Sequence, residues 1–327
     1  MTGPALVVGG LGFFGRAVVE DLVQYSRAEV VVAGRHQRYA LRHPRLSWKT
    51  LDLERPGSVR DYGVVVCAAG PYEGMSTALV EAAARDGVAY VDLSESKDFA
   101  ARARRIPSRA PVMSGLSVVP GLVGLLAGRA AVGRVRSIRA LIAPGSRPQR
   151  GNATLSAFLS GLHPWNEREV VRFPRPVGRR SVYRTHPFGD PDLLAELFDG
   201  CSFEFKVGSD VDLMNRGIEI VSWLKRKFAI ADPLEIRSVL GAIMRSLSVL
   251  GSDRGAARVE VTGEGGRYVG TVSARERGHR IPSVLAAIAA ARILEGRLKE
   301  SRLDRWLPDL GDELARRKLE LVETRTP

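Results

Sequence analysis

The sequence predicts an α/β protein, with a doubly wound parallel sheet over residues 1–130 followed by a second α/β domain. Three observations carry this. Short apolar runs alternate with segments of helical period up to about residue 130; a glycine-rich turn joins the first run to the first helix; and after Gly133 the texture changes to longer strands and proline- and arginine-rich segments. In order, ALVVGG (5–10), EVVVAG (29–34), LSWKTLDL (46–53), GVVVCAAG (63–70), VAYVDL (88–93) and APVMSG (110–115) read as six strands. Phe14, Val18, Leu22 and Tyr25 mark a helix after the first strand, and Leu79, Val80 and Ala83 mark another over 77–85, which gives two βαβ halves. Beyond them, VRSIRALIAPG (135–145) and FEFKV (203–207) read as strands, and ARVEV with RYVGTVSA as an antiparallel hairpin around Gly263-Glu264-Gly265-Gly266. Val211, Met214, Ile218, Val221, Leu224 and Phe228 share a helical face, as do Ile236, Val239, Leu240, Ile243 and Leu247. Pro282, at a first-turn position, opens an alanine-rich helix to Glu295, and a charged tail helix follows from about Leu310.

At 327 residues, 45% hydrophobic and 26% charged, the composition is that of a globular protein of two domains with ample core. Cys67 and Cys201 lie far apart and outside any CxxC or His-rich spacing, so neither a zinc site nor a disulfide framework is expected, and no metal. A reducing cytoplasm fits. MTGPALVVGG moves directly into a strand, which is no secretory signal, and the uncharged stretch Pro111 to Gly128 is too interrupted by proline and glycine to span a membrane. The formal charge of +13 invites a polyanion, but only 7 of the 49 basic residues are lysine, and the arginines are scattered among acids on nearly every segment. Arginine-rich codon usage accounts for that, and nucleic acid is not an expected partner. VSWLKRKF (221–228) joins an apolar face to a basic patch. Burial, a dimer contact or a lid over an apolar substrate is favoured there over a membrane surface.

The motif with chemical content is Gly10-Leu11-Gly12-Phe13-Phe14-Gly15, following a strand and opening a helix. Gly10 is expected to permit the tight turn, Gly12 the approach of a pyrophosphate, and Gly15 close helix packing, with the helix N-terminus supplying amides for the phosphates. About twenty residues on, where NAD-binding sheets carry an acid for the ribose hydroxyls, this chain has Gly34 and Arg35. A guanidinium binds a ribose 2′-phosphate bidentately, which favours NADP(H) over NAD(H); His36 or Arg38 could share the role. Asp52 after the third strand, Ala69-Gly70-Pro71 after the fourth and Asp92 after the fifth complete the expected cofactor rim. For Asp92, a turn or helix-cap carboxylate is an equal reading.

Hydride transfer also needs an acid for the partner atom. Tyr72, on the loop expected to pass the nicotinamide, is the first catalytic candidate, and His163 in GLHPWN the second. Arg150, Asn152, Arg179, Arg180 and Tyr183 fall in proline-rich segments expected to be loops, where they could bind a substrate carboxylate or phosphate. No Tyr-x-x-x-Lys occurs, which argues against the short-chain dehydrogenase mechanism.

With these segments in place the chain resembles the saccharopine dehydrogenase-like oxidoreductases. VVGGLGFFGRAVVEDL, VVVCAAGPYEG, GVAYVDLSE and SGLSVVPGLVGLLA carry the resemblance, and RGNATLSAFLSG, PVGRRSVYRTHPFGDPDLL and RERGHRIPSVLAAIAAARIL extend it across most of the second half. It implies a Rossmann domain (1–130), a substrate and dimerisation domain (131–280) with a mixed or antiparallel sheet, and C-terminal helices (281–327) returning to the first domain. It also implies NAD(P)H, a homodimer and a small-molecule substrate. Two positions depart from the family pattern: no glycine precedes Glu95, and Ser117 stands where many relatives carry Asp. The expected activity is reduction of a C=N, C=O or conjugated C=C bond in a small metabolite or lipid-like intermediate. The alternatives are a transferase that recycles NAD(P), of the homospermidine synthase type, and a non-catalytic nucleotide-binding protein.

Overall fold

The structure, a computed structural model, describes residues 3–37, 42–147, 167–184, 194, 197–228, 246–298 and 301–327. The chain divides into two compact units. The first takes the described residues up to Arg129 with those of Pro282–Glu313; the second takes those between Ala130 and Ile281 with Leu314–Pro327.

The first unit is built on six parallel strands: β1 (Ala5–Val8), β2 (Val30–Gly34), β3 (Leu46–Thr50), β4 (Val64–Cys67), β5 (Ala89–Asp92) and β6 (Val112–Met113), in the order β3-β2-β1-β4-β5-β6. The chain starts in the middle, winds outward to β3, and restarts at β4 on the other side of β1, so the strand order reverses between β1 and β4. This is the doubly wound Rossmann arrangement. β1, β4 and β5 are buried along their whole length, which is why ALVV and VVVC read as unbroken apolar runs rather than alternating ones. Helix α1 (Phe13–Tyr25) lays Ala17, Val18, Val19 and Leu22 against the sheet. Helix α2 (Ala78–Asp86) stops at Gly87, which takes the left-handed conformation of a C-terminal cap. Helix α3 (Lys97–Arg104) starts at Ser96, whose hydroxyl accepts from Phe99 N. The Ile281–Leu294 helix is apolar around its circumference and buried from Val284 to Ala290, as an interior helix must be. Its last turn is fixed by buried Arg292, which pairs with Asp309 and, at 3.2 Å, with Glu313.

The second unit is a mixed sheet of seven strands: β7 (Val135–Ala143), β8 (Arg168–Arg172), β9 (Arg179–Arg184), β10 (Ser202–Val207), β11 (Gly255–Gly263), β12 (Gly266–Ala274) and β13 (Leu319–Thr326), ordered β13-β12-β11-β7-β10-β9-β8. β7 and β10 run parallel and the other neighbours antiparallel. On one face Glu260, Arg139 and Glu204 stand in register across three strands. Arg139 bonds Glu204 at 2.6 Å, Glu260 at 2.8 Å and Glu169 at 2.5 Å, and Lys206 joins Glu169 at 2.9 Å. These cations hold the Glu169 and Glu204 carboxyls below their usual range, against the opposing effect of burial. The same face turns apolar toward Leu141 and Ala143, which pack with Val171, Phe173 and Val182.

Two expectations are corrected here, and a third lies almost wholly outside the described residues. Arg179, Arg180 and Tyr183 lie on strand β9, not in a loop, and β8 precedes it; both are short and arginine-flanked, so their apolar residues were too few to read as strands. The tail is not helical to its end: after the short Leu310–Arg316 helix, LELVETRT pairs along its whole length with β12 and belongs to the second unit. Of the second expected helical face in that unit only Leu247 lies within the described residues. Among the described residues no helix is long and apolar enough to cross a membrane.

Candidate functional site

The point where strand order reverses in a parallel sheet leaves a crevice at the carboxyl ends of the strands. Here it is lined by the turn after β1 and the loop after β4, which touch: Ala68 N donates to Val8 O at 2.8 Å, and a Cβ on Gly9 would fall 2.7 Å from Ala69 N.

The turn differs from the expected one in which glycine does what. Gly9, not Gly10, has the left-handed backbone (φ +77°), and its N–H donates to Ala33 O of β2. Gly10 is instead pressed against Val7 O, Val19 and Val32. Gly15 lies so close to the turn that a Cβ would sit 2.2 Å from Gly9 O. Gly12 is exposed and begins α1 without a side-chain cap; a Cβ there would meet only Gly9 O, at 3.1 Å, and otherwise project outward. An α-helix leaves its first-turn amides without intrahelical acceptors, and no acidic residue stands in the first turn of α1. The cradle, with Phe13 and Phe14 stacked edge to face beside it at 5.0 Å, fits a pyrophosphate.

At the ends of β2 and β3, Gly34 pairs in register with Thr50, and Leu51 N donates to Gly34 O. Arg35 and His36 are exposed directly after Gly34. Asp52 is exposed on the same rim and accepts from Glu54 N at 3.0 Å, which shapes its own turn. Arg38 lies outside the described residues. After β4, Ala69 is partly exposed, and Gly70 and Pro71 are exposed, leaving a low-walled loop beside the turn.

Tyr72 needs correction. Its ring is buried against Phe99, its hydroxyl donates its one proton to Cys67 O at 2.7 Å, and the same oxygen accepts from Leu93 N at 3.2 Å. Burial raises the phenol well above its ordinary range. Tyr72 therefore fastens the end of β4 to the end of β5 and is no proton donor in this arrangement. Asp92 is likewise not on the surface. It is wholly buried, and Oδ1 accepts from Ser94 N and Gly115 N, both at 2.8 Å, tying the β5 and β6 loops together. The turn-carboxylate reading holds and direct cofactor contact does not. Asp92 Oδ2, Tyr90 Oη and Ser114 Oγ have no hydrogen-bond partner among the described residues. Burial pushes the Asp92 carboxyl up to about 6, opposed by the two amides and by nearby Ser114 and Tyr90. The Cys67 thiol beside them is pushed up by burial to about 12 and is inert.

Glu95, partly exposed after β5, has its carboxyl raised to about 7 by burial and by the nearby Glu73 charge, with Ser117 opposing.

In the second unit Tyr183 is buried with its hydroxyl donating to Glu219 at 3.0 Å, so the expected substrate contact is replaced by a bond between β9 and the Asp212–Phe228 helix. Arg180 is half-buried, and its Nε is without a partner among the described residues. Arg150, Asn152 and His163 lie outside the described residues. Among the described residues no cluster of three or more His, Cys, Asp or Glu could hold a metal.

Comparison with known proteins agrees with this geometry. The family described as the saccharopine dehydrogenase NADP binding domain matches residues 5–111. Among solved structures, apo saccharopine dehydrogenase (L-Glu forming) from Saccharomyces cerevisiae aligns over 99% of this chain and 100% of its own, with 15% identity and a TM-score of 0.58. An amine dehydrogenase from Mycobacterium smegmatis aligns over 91% of this chain and 93% of its own, with 10% identity and a TM-score of 0.42. Among curated proteins a sequence search finds no match. Residues 5–111 thus match the saccharopine dehydrogenase NADP binding domain family, in a chain whose fold resembles that of saccharopine dehydrogenase.

Proposed function

We propose that this chain is an NADP(H)-dependent oxidoreductase that reduces a C=N, C=O or conjugated C=C bond in a small metabolite or lipid-like intermediate. One observation carries the reading: the Gly9-to-Gly15 turn at the reversal of strand order, with Arg35 exposed at the end of the adjoining strand. The α1 amides hold the pyrophosphate, and Arg35 takes the 2′-phosphate as a charge-assisted, bidentate pair. The small residues Ala69 and Gly70 leave room for the nicotinamide end, whose bound reduced form supplies the hydride. Of the described residues in the second unit, Arg180 is the candidate for an anionic group on the substrate, because its Nε lacks a partner.

The test is a titration of wild type and Arg35→Ala with NADPH and with NADH. A hydrogen bond between charged groups contributes about 1.5–3 kcal/mol, so NADPH affinity should fall roughly tenfold to a hundredfold while NADH affinity changes by less than about twofold. Equal loss for both cofactors, or none, would remove Arg35 from the 2′-phosphate.

A further inference from the structure

We propose that the outer face of the Asp212–Phe228 helix docks on an anionic lipid bilayer and seats the second unit on the membrane surface. The inference goes beyond the redox reading above and does not depend on it.

Single apolar side chains scattered over a surface are ordinary, whereas a gathered set marks an interaction site. Among the described residues the large apolar side chains left in solvent are Val170, Leu213, Ile220, Trp223, Val249 and Leu250. Three of them lie on this one helix. Val249 and Leu250, 75% and 71% exposed, lie on a turn closed by Leu250 N donating to Leu247 O at 3.0 Å. That turn is tied to the helix start, because Ser252 N and Oγ donate to Asp210 Oδ2 at 2.5 and 2.6 Å, two residues before the helix. Val170 points to the same side of β8 as Arg168, which reaches Glu219 of the helix at 3.7 Å. All six therefore belong to the surroundings of one element.

The helix is apolar on two sides. Val211, Met214 and Ile218, on the side expected from the sequence to be apolar, are buried. On the opposite side, at 3.6 residues per turn, Leu213, Arg216, Ile220, Trp223 and Lys227 fall within about 80° of arc, and all five are exposed. A helix that packed only against its own sheet would be polar there. The stripe holds cations and no acid, and Lys227 Nζ lies 4.9 Å from the centre of the Trp223 ring. Asp212 and Glu219 flank it, and Glu219 is engaged by the Tyr183 hydroxyl and by Arg168.

This pattern selects the occupant. In a protein contact the apolar residues gather in a core depleted of charge, and the cations go to the rim. Here each apolar residue of the stripe has a cation three or four positions away. A second copy would set the stripe against itself, cation against cation, on chains of net charge +13. A bilayer with anionic headgroups suits the mixture. The aliphatic side chains enter the acyl boundary, the indole sits at headgroup level, and Arg216 and Lys227 extend to the phosphates. Arg172 and Arg179, exposed in register on the same side of the sheet as Val170, add to the positive charge.

The test is cosedimentation of the whole chain with vesicles of phosphatidylcholine alone and of phosphatidylcholine with about one-third phosphatidylglycerol. The anionic vesicles should bind at least about tenfold better, because each cation near such a surface contributes roughly fivefold. Tryptophan emission should shift to the blue on binding, and Trp223→Phe should lose that shift. Ile220→Glu, at an exposed position, should keep the wild-type melting temperature and bind about tenfold more weakly or worse. Arg216→Ala combined with Lys227→Ala should weaken binding to the anionic vesicles by a similar factor. Absence of binding by wild type overturns the proposal. Binding that Ile220→Glu and the paired alanine variant leave unchanged, or a blue shift that survives whole in Trp223→Phe, also overturns it, since the bilayer then meets another surface. If wild type ignores vesicles and is a dimer that Ile220→Glu dissociates in sedimentation velocity, the face is a contact between copies and the proposal fails. None of these outcomes bears on the cofactor reading, which stands or falls on the NADPH titration.

Discussion

Gly15→Ala is expected to abolish NADPH binding and to destabilise the first unit, whereas Gly12→Ala, three residues earlier, should weaken binding alone. The difference lies in what each new methyl meets. At Gly15 it would sit 2.2 Å from Gly9 O and 2.8 Å from Gly9 C, both backbone atoms of a turn already tied to β2 through Gly9 N. Nothing there can move without pulling α1 off the turn, so the cost is that of overpacking, about 1–3 kcal/mol, and the first-turn amides lose their aim. NADPH affinity should fall by more than about a hundredfold, given that several charged hydrogen bonds are misplaced together. At Gly12 the methyl meets only Gly9 O, at 3.1 Å, and points outward from an exposed position. The loss of a glycine N-cap costs a few tenths of a kcal/mol, and the melting temperature should stay within about 2 °C of wild type. The methyl stands where a pyrophosphate would approach, so affinity should still drop by about tenfold or more. Thermal melts and fluorescence titrations of the two variants check this; wild-type affinity in Gly15→Ala would mean that the turn does not hold the phosphates.

The first unit was legible because its strands are buried on both faces, and such strands leave apolar runs that no surface position interrupts, as in ALVV and VVVC. Two βαβ halves in succession gave the doubly wound arrangement, and the structure supplies the order of its strands. The glycine turn was legible as a motif but not as geometry. Two adjacent glycines, Gly9 and Gly10, offered two candidates for the left-handed residue, and only the bond from Gly9 N to Ala33 O selects one. In the second unit the sequence was less informative for a physical reason. In β9 (RRSVYR) the charges fall at Arg179, Arg180 and Arg184 and in β13 (LELVETRT) at Glu320, Glu323 and Arg325, on both faces of each strand, so the period-two alternation of a half-buried strand is broken and the segments look like a loop or a solvated helix. Tyr72 and Asp92 sit where a catalytic tyrosine and a cofactor carboxylate would be sought. Whether a side chain faces into the sheet end or out of it depends on rotamer and loop path, which local sequence does not encode. Tyr72 turns inward, where its hydroxyl reinforces the bond that Leu93 N makes to Cys67 O at 3.3 Å by donating to Cys67 O and accepting from Leu93 N.

Asp92→Asn is expected to make the protein more stable above pH 6, by an amount that vanishes on acidification. Burial lifts the Asp92 carboxyl from an ordinary 3.8 to about 6 in the fold. Below pH 4 the acid is protonated in both folded and unfolded chains and no penalty arises. As the pH rises from 4 to 6 the unfolded chain ionises while the fold resists, so the unfolded state is favoured; above 6 both are ionised and the full penalty stands. Two pH units correspond to about 3 kcal/mol, which the two amides from Ser94 and Gly115 have already reduced from a larger desolvation cost. Asparagine keeps a carbonyl for those amides and turns a donor toward the unpartnered Tyr90 and Ser114 hydroxyls. Urea unfolding of both proteins from pH 4 to 8 should show Asp92→Asn ahead by about 1–3 kcal/mol at pH 7.5 and level near pH 4. Glu95, raised in the same direction, is common to both and drops out of the difference. An advantage that is absent, or that grows as pH falls, would mean that the buried carboxylate is not strained by its surroundings. Asp92→Leu separates charge from hydrogen bonding: it removes the same charge but leaves both amides without an acceptor, so it should be destabilised at every pH.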